Sequence, residues 1–263
     1  MDKSRLDELL VVRGLAASTD EARRAVYAGR VRSGTAVLRH PGAPTDTSAP
    51  LEIVAPRRYV SRGGLKLEAA LAAFGLSPDG WRCIDVGAST GGFTDCLLAA
   101  GAEEVCAVDV GYGQFDWSLR NDARVRLFER TNIAKVSVTA LGGPFDLAVV
   151  DVSFTGLARL APVLEALVAP QGSLVALVKP QFELPRHLVK NGLINDRELH
   201  AQAVTAVMEK LARGHLVTRG LTYSPLRGAR GNTEFLLWAQ EGGIPATISI
   251  EDVVREAQAN LGS

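Results

Sequence analysis

The chain has 263 residues, 47% of them apolar and 22% charged, with 29 basic and 29 acidic side chains. That length allows one large domain or a large and a small one, and the composition supplies ample material for a core. No apolar run reaches the roughly 18–20 residues that span a bilayer, and Met1-Asp2-Lys3-Ser4-Arg5 leads into no secretory apolar segment, so a cytoplasmic protein without membrane partners is expected.

The charge is unevenly placed. Residues 1–62 carry eleven Lys/Arg against seven Asp/Glu, and the remainder eighteen against twenty-two. A basic front on a slightly acidic body suggests an anionic partner for the front. There, Leu6, Leu9 and Leu10 at helical spacing predict a helix from Arg5 to Val12. Ser18 and Glu21 form a capping box for a second helix, Ala22 to Ala28, with Gly29 as its stop. Val31 to Val37 reads as a hairpin turning at Ser33-Gly34, and Leu51 to Val54 closes a small sheet. The module ends near residue 55. Exposed Arg5, Arg23, Arg24, Arg30 and Arg32 suit RNA phosphates, with a plain solvated helix face as the alternative. Residues 56–64 read as a basic linker in which Arg57, Arg58 and Arg62 add charge and Tyr59 could stack on a base.

Residues 65–263 read as a second domain. After a helix from Leu65 to Phe74, strands and helices alternate, which predicts a mostly parallel sheet of seven strands. The strands are expected at Cys83–Val86, Glu104–Val110, Arg124–Glu129, Phe145–Asp151, Ser173–Lys179, Leu216–Tyr223 and Thr233–Trp238, with a last helix from Ile250 to Leu261. Cys83, Cys96 and Cys106 form no C-x-x-C pair and lie in or beside apolar runs, so buried reduced thiols are expected. No metal-ligating set is expected.

The first strand ends in Asp85 and breaks into Gly87-Ala88-Ser89-Thr90-Gly91-Gly92-Phe93 before a helix. Strand, glycine loop and helix open a doubly wound α/β domain, whose ligands sit beyond the carboxyl ends of the strands. The spacing matches neither the dinucleotide nor the phosphate-loop pattern. An acid at this point would repel phosphate and favour a sulfonium or an ammonium, which points to S-adenosylmethionine; a mere tight turn is the alternative. Asp109, twenty-four residues after Asp85, is placed to accept from ribose hydroxyls, and Asn132 to read an adenine edge, unless both only cap their loops. Lys66, Asp151, Lys179 and Glu234 put charge before the sheet or at the ends of apolar strands, which is costly unless they are paired. A buried salt bridge between Asp151 and Lys179 would satisfy that need with no chemistry at all.

Seven stretches together resemble one family: Ser61-Arg62-Gly63-Gly64-Leu65-Lys66-Leu67, Asp85 to Cys96, Val108 to Gln114, Glu129 to Ile133, Asp151-Val152-Ser153-Phe154, Val178-Lys179-Pro180-Gln181-Phe182-Glu183 and Gly231 to Leu236. They are similar to the TlyA family of S-adenosylmethionine-dependent ribosomal-RNA cytidine 2′-O-methyltransferases, historically called haemolysins. The resemblance runs nearly end to end. It implies a Rossmann-like methyltransferase body of the FtsJ type behind a small α+β, S4-like RNA-binding domain. It also implies a catalytic tetrad at Lys66, Asp151, Lys179 and Glu234; Lys179, crowded by Lys66 and partly buried, could act as general base, with the choice between the two lysines left open by sequence. The implied partners are ribosomal RNA and ribosomal subunits, not DNA. The helix past Trp238 is similar to the longer branch, which acts on 23S and also 16S rRNA. The loop Glu183–Gly192 follows the family pattern only loosely. A non-catalytic ribosome-binding assembly factor and a pore-forming haemolysin are the other readings.

Overall fold

The computed structural model describes residues 2–55 and 58–262 and divides into two compact units, Met1–Arg57 and Arg58–Ser263. Pro56 and Arg57 lie outside the described residues.

The front unit contains β1 (Lys3–Arg5), α1 (Leu6–Val12), α2 (Thr19–Tyr27), β2 (Val31–Ser33), β3 (Ala36–Val37), β4 (Pro44–Asp46) and β5 (Glu52–Ile53). Ser18 Oγ accepts from Glu21 N at 3.2 Å while the Glu21 carboxylate accepts from Ala17 N at 2.8 Å, so the expected box forms one residue out of register on its return side. Strands β3, β2 and β5 make an antiparallel sheet. The pairing of β1 with β4 was not expected, because three-residue strands carry too little pattern to read. The core of the unit is Leu6, Leu10, Ala22, Ala25, Val26 and Val31, all at most 1% exposed. Asp7 is buried with them, and it holds Arg5 and Arg23 at 2.9 Å each.

The second unit opens with α3 (Arg62–Phe74), capped by Ser61 Oγ accepting from Gly63 N at 3.2 Å. The helix therefore begins three residues before the expected Leu65, inside the stretch read as linker. It continues through β6 (Arg82–Val86), α4 (Gly92–Ala99), β7 (Glu104–Val108), α5 (Trp117–Arg120), β8 (Val125–Phe128), β9 (Phe145–Val150), α6 (Leu157–Leu167), β10 (Val168–Val178), α7 (Pro180–Glu183), α8 (Arg197–Ala212), β11 (Leu216–Tyr223), β12 (Phe235–Glu241) and α9 (Ile250–Leu261). The seven-stranded sheet has the order β11-β12-β10-β9-β6-β7-β8, parallel except around β12, which runs antiparallel to both of its neighbours.

Helices cover both faces, so the central strands are apolar on both sides. Alternate residues divide between two cores. Ile84, Val86, Ala148, Val150, Ala176 and Val178 pack beneath α6, α8 and α9. Cys83, Leu147, Val149, Val175 and Leu177 pack beneath α3 and α4. Each Val, Leu or Ile among them, fully buried, contributes about 1.5–3 kcal/mol. Boundaries moved where polar chemistry intervened. Strand β7 stops two residues short of the expected Val110 because Asp109 turns its carboxylate onto backbone amides. Strand β12 starts at Phe235, after Thr233 and Glu234. Strand β10 gains Val168, which pairs with Phe145; after it the ladder slips, through Gln171 at φ 63°, and resumes at Ser173.

Candidate active site

The sheet order reverses between β6 and β9, and ligands of open α/β sheets bind at such a switch point. A cavity of about 1390 Å³ lies there, walled by the start of α3, the glycine loop after β6, and the turns after β9 and β10. Gly87 makes the loop possible. Its φ is 87°, and a Cβ on it would lie 2.5 Å from the Asp151 carbonyl oxygen, so no side chain can stand where two strand ends meet.

All four charged residues of the expected tetrad line this one cavity. Lys66, one turn into α3, lies 2.5 Å from Glu234 Oε2, and both are nearly inaccessible to solvent. Lys179, at the end of β10, lies 2.5 Å from Asp151 Oδ1 at the end of β9. That ion pair is out of hydrogen-bonding alignment, and Lys179 donates instead to Ser153 Oγ at 2.9 Å. The four groups thus form two acid–lysine pairs, bringing together residues that are 168 positions apart in the chain in one case. Pairing of this kind is what permits four charges to sit at such depth.

Of the residues assigned to a cofactor, Gly87, Ser89, Thr90, Gly92 and Phe93 line the cavity with Asp151. Gly91 stands behind them, at the start of α4. Asp85 also lies behind the loop, with none of its surface exposed. Its Oδ2 accepts from Thr94 N at 2.9 Å and Thr94 Oγ1 at 2.7 Å, while Oδ1 has no protein partner. Burial pushes this carboxyl up to about 7, against the two bonds from Thr94. Asp109 accepts from Ser89 N at 2.7 Å and Gly111 N at 2.6 Å, bracing the glycine loop from beside it. Asn132 is exposed and its Oδ1 caps a short 3₁₀ turn by accepting from Ala134 N at 2.9 Å. Neither Asp109 nor Asn132 is part of the cavity wall.

The basic residues are less uniform than their sequence suggests. Arg62 reaches the cavity. Arg5 and Arg23 are both committed to Asp7, Arg24 is exposed, and Arg30 and Arg32 are half-buried. Arg58 pairs with Glu68. The expectation that Tyr59 presents its ring to a base is corrected: the residue is 7% exposed, its ring lies against the backbone of Gly64, and its hydroxyl donates to Glu68 at 3.2 Å. A glycine at 64 is what admits the ring.

Sequence reasoning gave no role to several residues of the wall: Ser153, Phe154, Gln181 and Phe182, which lie in the stretches that carry the resemblance, and Arg159, Arg186 and Arg230, which lie outside them. Phe154 is the most telling. It is 93% exposed at φ 66° beside the cavity, with its ring 5.5 Å from that of Phe182. The available signal was its position, an aromatic three residues after a strand-end acid. The arginines come from the first turn of α6 and from two separate short turns, and offered no pattern to read.

Residues 59–241 match the model of the FtsJ-like methyltransferases. The chain is 45% identical to Bacillus subtilis YqxC, named as an rRNA methyltransferase, over 96% of this chain and 92% of the relative. It is 43% identical to the 16S/23S rRNA (cytidine-2′-O)-methyltransferase TlyA of Mycobacterium tuberculosis, over 97% of each. Among solved structures, a hemolysin-named chain from Streptococcus thermophilus shares 39% identity with a TM-score of 0.76, covering 99% of this chain and 97% of that one.

Proposed function

The chain belongs to the FtsJ-like methyltransferases, and from that premise we propose that it methylates a cytidine 2′-oxygen of ribosomal RNA, using S-adenosylmethionine. The observation that carries the reading is the convergence of two lysine–carboxylate pairs on one cavity beside a glycine loop. The cavity suits the cofactor: it exceeds the roughly 300–1,000 Å³ of a single small-molecule site, which leaves room for a nucleotide as well. Gly87 and Gly92 let the loop pack directly against the Asp151 turn and the start of α3, which brings the cofactor wall and the charged groups to one cavity. Ser89, Thr90 and Phe93 would hold the cofactor directly. Asp109 keeps free lone pairs for ribose hydroxyls, and Asn132 would meet the adenine edge. When bound, the cofactor supplies an electrophilic methyl on a sulfonium.

The protein's own work is to place and activate a poor nucleophile. Lys179 reaches the cavity from a strand end, with Asp151 and Ser153 fixing its ammonium group. In this reading that group first sheds a proton to solvent, and the neutral amine then takes the proton of the ribose hydroxyl as the oxygen attacks, with Asp151 balancing the charge it regains. Lys66, held by Glu234, stabilises negative charge on the attacking oxygen. In-line positioning supplies much of the remaining rate. The front unit would act as an S4-like RNA-binding domain through Arg24, Arg30 and Arg32, with Arg5 and Arg23 presented from Asp7. Arg62 and the basic loop arginines would meet phosphates nearer the reacting ribose. Ribosomal subunits are the proposed substrate form, and the cytoplasm the place of action.

The haemolysin names of relatives suggest a second activity, but among the described residues no helix is long and apolar enough to cross a membrane. The deciding experiment is transfer of labelled methyl from S-adenosylmethionine to separated ribosomal subunits, with mapping of the modified ribose. Label on a cytidine 2′-oxygen is expected, in both subunits if the chain follows the longer branch. Cofactor binding without transfer to either subunit would instead indicate a ribosome-binding assembly factor.

A further inference from the structure

Helix α6 has a glycine, Gly156, at its cap position and no capping side chain of its own. The first amides of a helix need acceptors, and a negative charge there is favoured by the helix dipole. Both needs are met from the far side of β10. Glu183 Oε1 accepts from Leu157 N at 2.7 Å and Oε2 accepts from Ala158 N at 3.3 Å. The fit is close: a Cβ at Gly156 would lie 2.8 Å from Glu183 Oε2 and 2.9 Å from the Phe182 carbonyl oxygen. Glu183 ends α7, the single turn that follows Lys179. It does not line the cavity.

Two segments carrying charged groups of the site are therefore fastened together at both ends. At one end Lys179 meets Asp151 and Ser153. At the other, Glu183 caps the helix that follows the Asp151 turn, and the rings of Phe154 and Phe182 meet between them. Without the second fastening, the turn after β9 would be held only by the Lys179 contacts, the Phe154–Phe182 rings and the bond from Asp151 N to Val86 O. We propose that Glu183 is a positioning residue for the methyl transfer, setting the spacing of Lys179 and Asp151 through the start of α6 without touching the substrate. The inference rests on reading Lys179 and Asp151 as the reacting machinery.

Substitutions grade the effect. Glutamine keeps one carbonyl acceptor for Leu157 N but turns a donor toward Ala158 N, so one bond survives. Alanine leaves neither. With the full chain and ribosomal subunits, kcat is expected to fall roughly tenfold in Glu183→Gln and roughly a hundredfold in Glu183→Ala, since misplacement by about 1 Å costs that much. KM for S-adenosylmethionine should stay within about twofold, which damage to the cofactor loop would not give, and kcat is counted per folded chain from the unfolding amplitude, so that a loss of folded protein does not register as a fall. A crystal structure of Glu183→Ala reads the same point without activity: the 2.5 Å contact between Lys179 and Asp151 should open. Should the alanine variant fail to fold, the structure and kcat of Glu183→Gln carry the comparison, because it keeps the volume and one bond. An unchanged kcat, or an unchanged Lys179–Asp151 contact, would overturn the proposal. Absence of transfer by the wild-type chain would sink the proposed activity, while the variant structure would still decide whether Glu183 sets the spacing.

Discussion

Replacing Gly87 with alanine tests the claim that two strand ends meet too closely for any side chain. The new Cβ would lie 2.5 Å from the Asp151 carbonyl oxygen and 2.9 Å from its carbon. Ordinary contacts between such atoms are near 3.5 Å, so the turn after β9 must retreat by on the order of 1 Å. Overpacking of this sort costs about 1–3 kcal/mol, and alanine at φ 87° adds about 1–2 kcal/mol of backbone strain. The expected loss of stability is about 2–5 kcal/mol. Gly75→Ala separates the two contributions, because Gly75 sits at φ 64° with nothing within 4 Å of its would-be Cβ. It should show only the strain, about 1 kcal/mol. Urea unfolding of both variants, with unchanged m-values, gives the difference directly. Because the retreating atoms belong to Asp151, methyl transfer by Gly87→Ala should fall roughly a hundredfold while Gly75→Ala stays near wild type. Equal stability losses in the two variants, or normal transfer by Gly87→Ala, would refute the reasoning.

Lys179→Ala should reduce methyl transfer by roughly 10²–10⁴-fold while leaving subunit binding intact in a pelleting assay, and loss of both would count against its role as base. Lys66→Met leaves Glu234, 2% exposed, without its counter-ion and should destabilise the chain by about 3–5 kcal/mol; adding Glu234→Gln should restore much of that in a double-mutant cycle. Hydrogen bonds from Arg5, then from Arg23 against the cost of burial, hold Asp7 down at about 2. As a depressed carboxylate, it contributes stability that is complete above the usual range near pH 4 and is lost as pH falls toward about 2. The stability gap between wild type and Asp7→Asn, followed by amide exchange in α1 and α2, should shrink across that window. Asn232 accepts from Ile194 N at 2.9 Å and donates to Gly192 O at 2.7 Å, so Asn232→Ala should cost about 2 kcal/mol and speed proteolysis at residues 184–194. An unchanged cleavage rate there would show that other contacts hold the loop.

What could be read in advance follows the physics of each element. Strands such as Phe145–Val150, apolar on both faces, announce themselves, and a charge that ends one, as Asp151 and Lys179 do, is visible because it breaks the run. The four charged groups were therefore legible, whereas their pairing was only half so. Asp151 and Lys179 follow neighbouring parallel strands, but Lys66 meets Glu234 only because β12 is inserted, reversed, between β10 and β11. Tyr59 was misread because composition marks an aromatic beside arginines as a ligand platform, while the backbone notch at Gly64 that swallows its ring is a tertiary fact. Capping across the chain, as by Glu183, and arginines gathered from a helix start and two distant turns leave no local pattern at all.

The reversal of β12 also governs when the site can exist. A parallel strand delivers its last residue to the ligand edge of the sheet; an antiparallel one delivers its first. Glu234 arrives there just before β12 begins, and its partner Lys66 belongs to the first helix of the unit. Emerging from the ribosome in order, the chain holds Lys66, the glycine loop, Asp151 and Lys179 before the closing acid is made. Its sheet can be completed only when β12 slides in between two strands that precede it. Lys66 therefore gains its counter-ion only when the last strand docks, and α9 then closes over the same sheet through Val254 and Ala257.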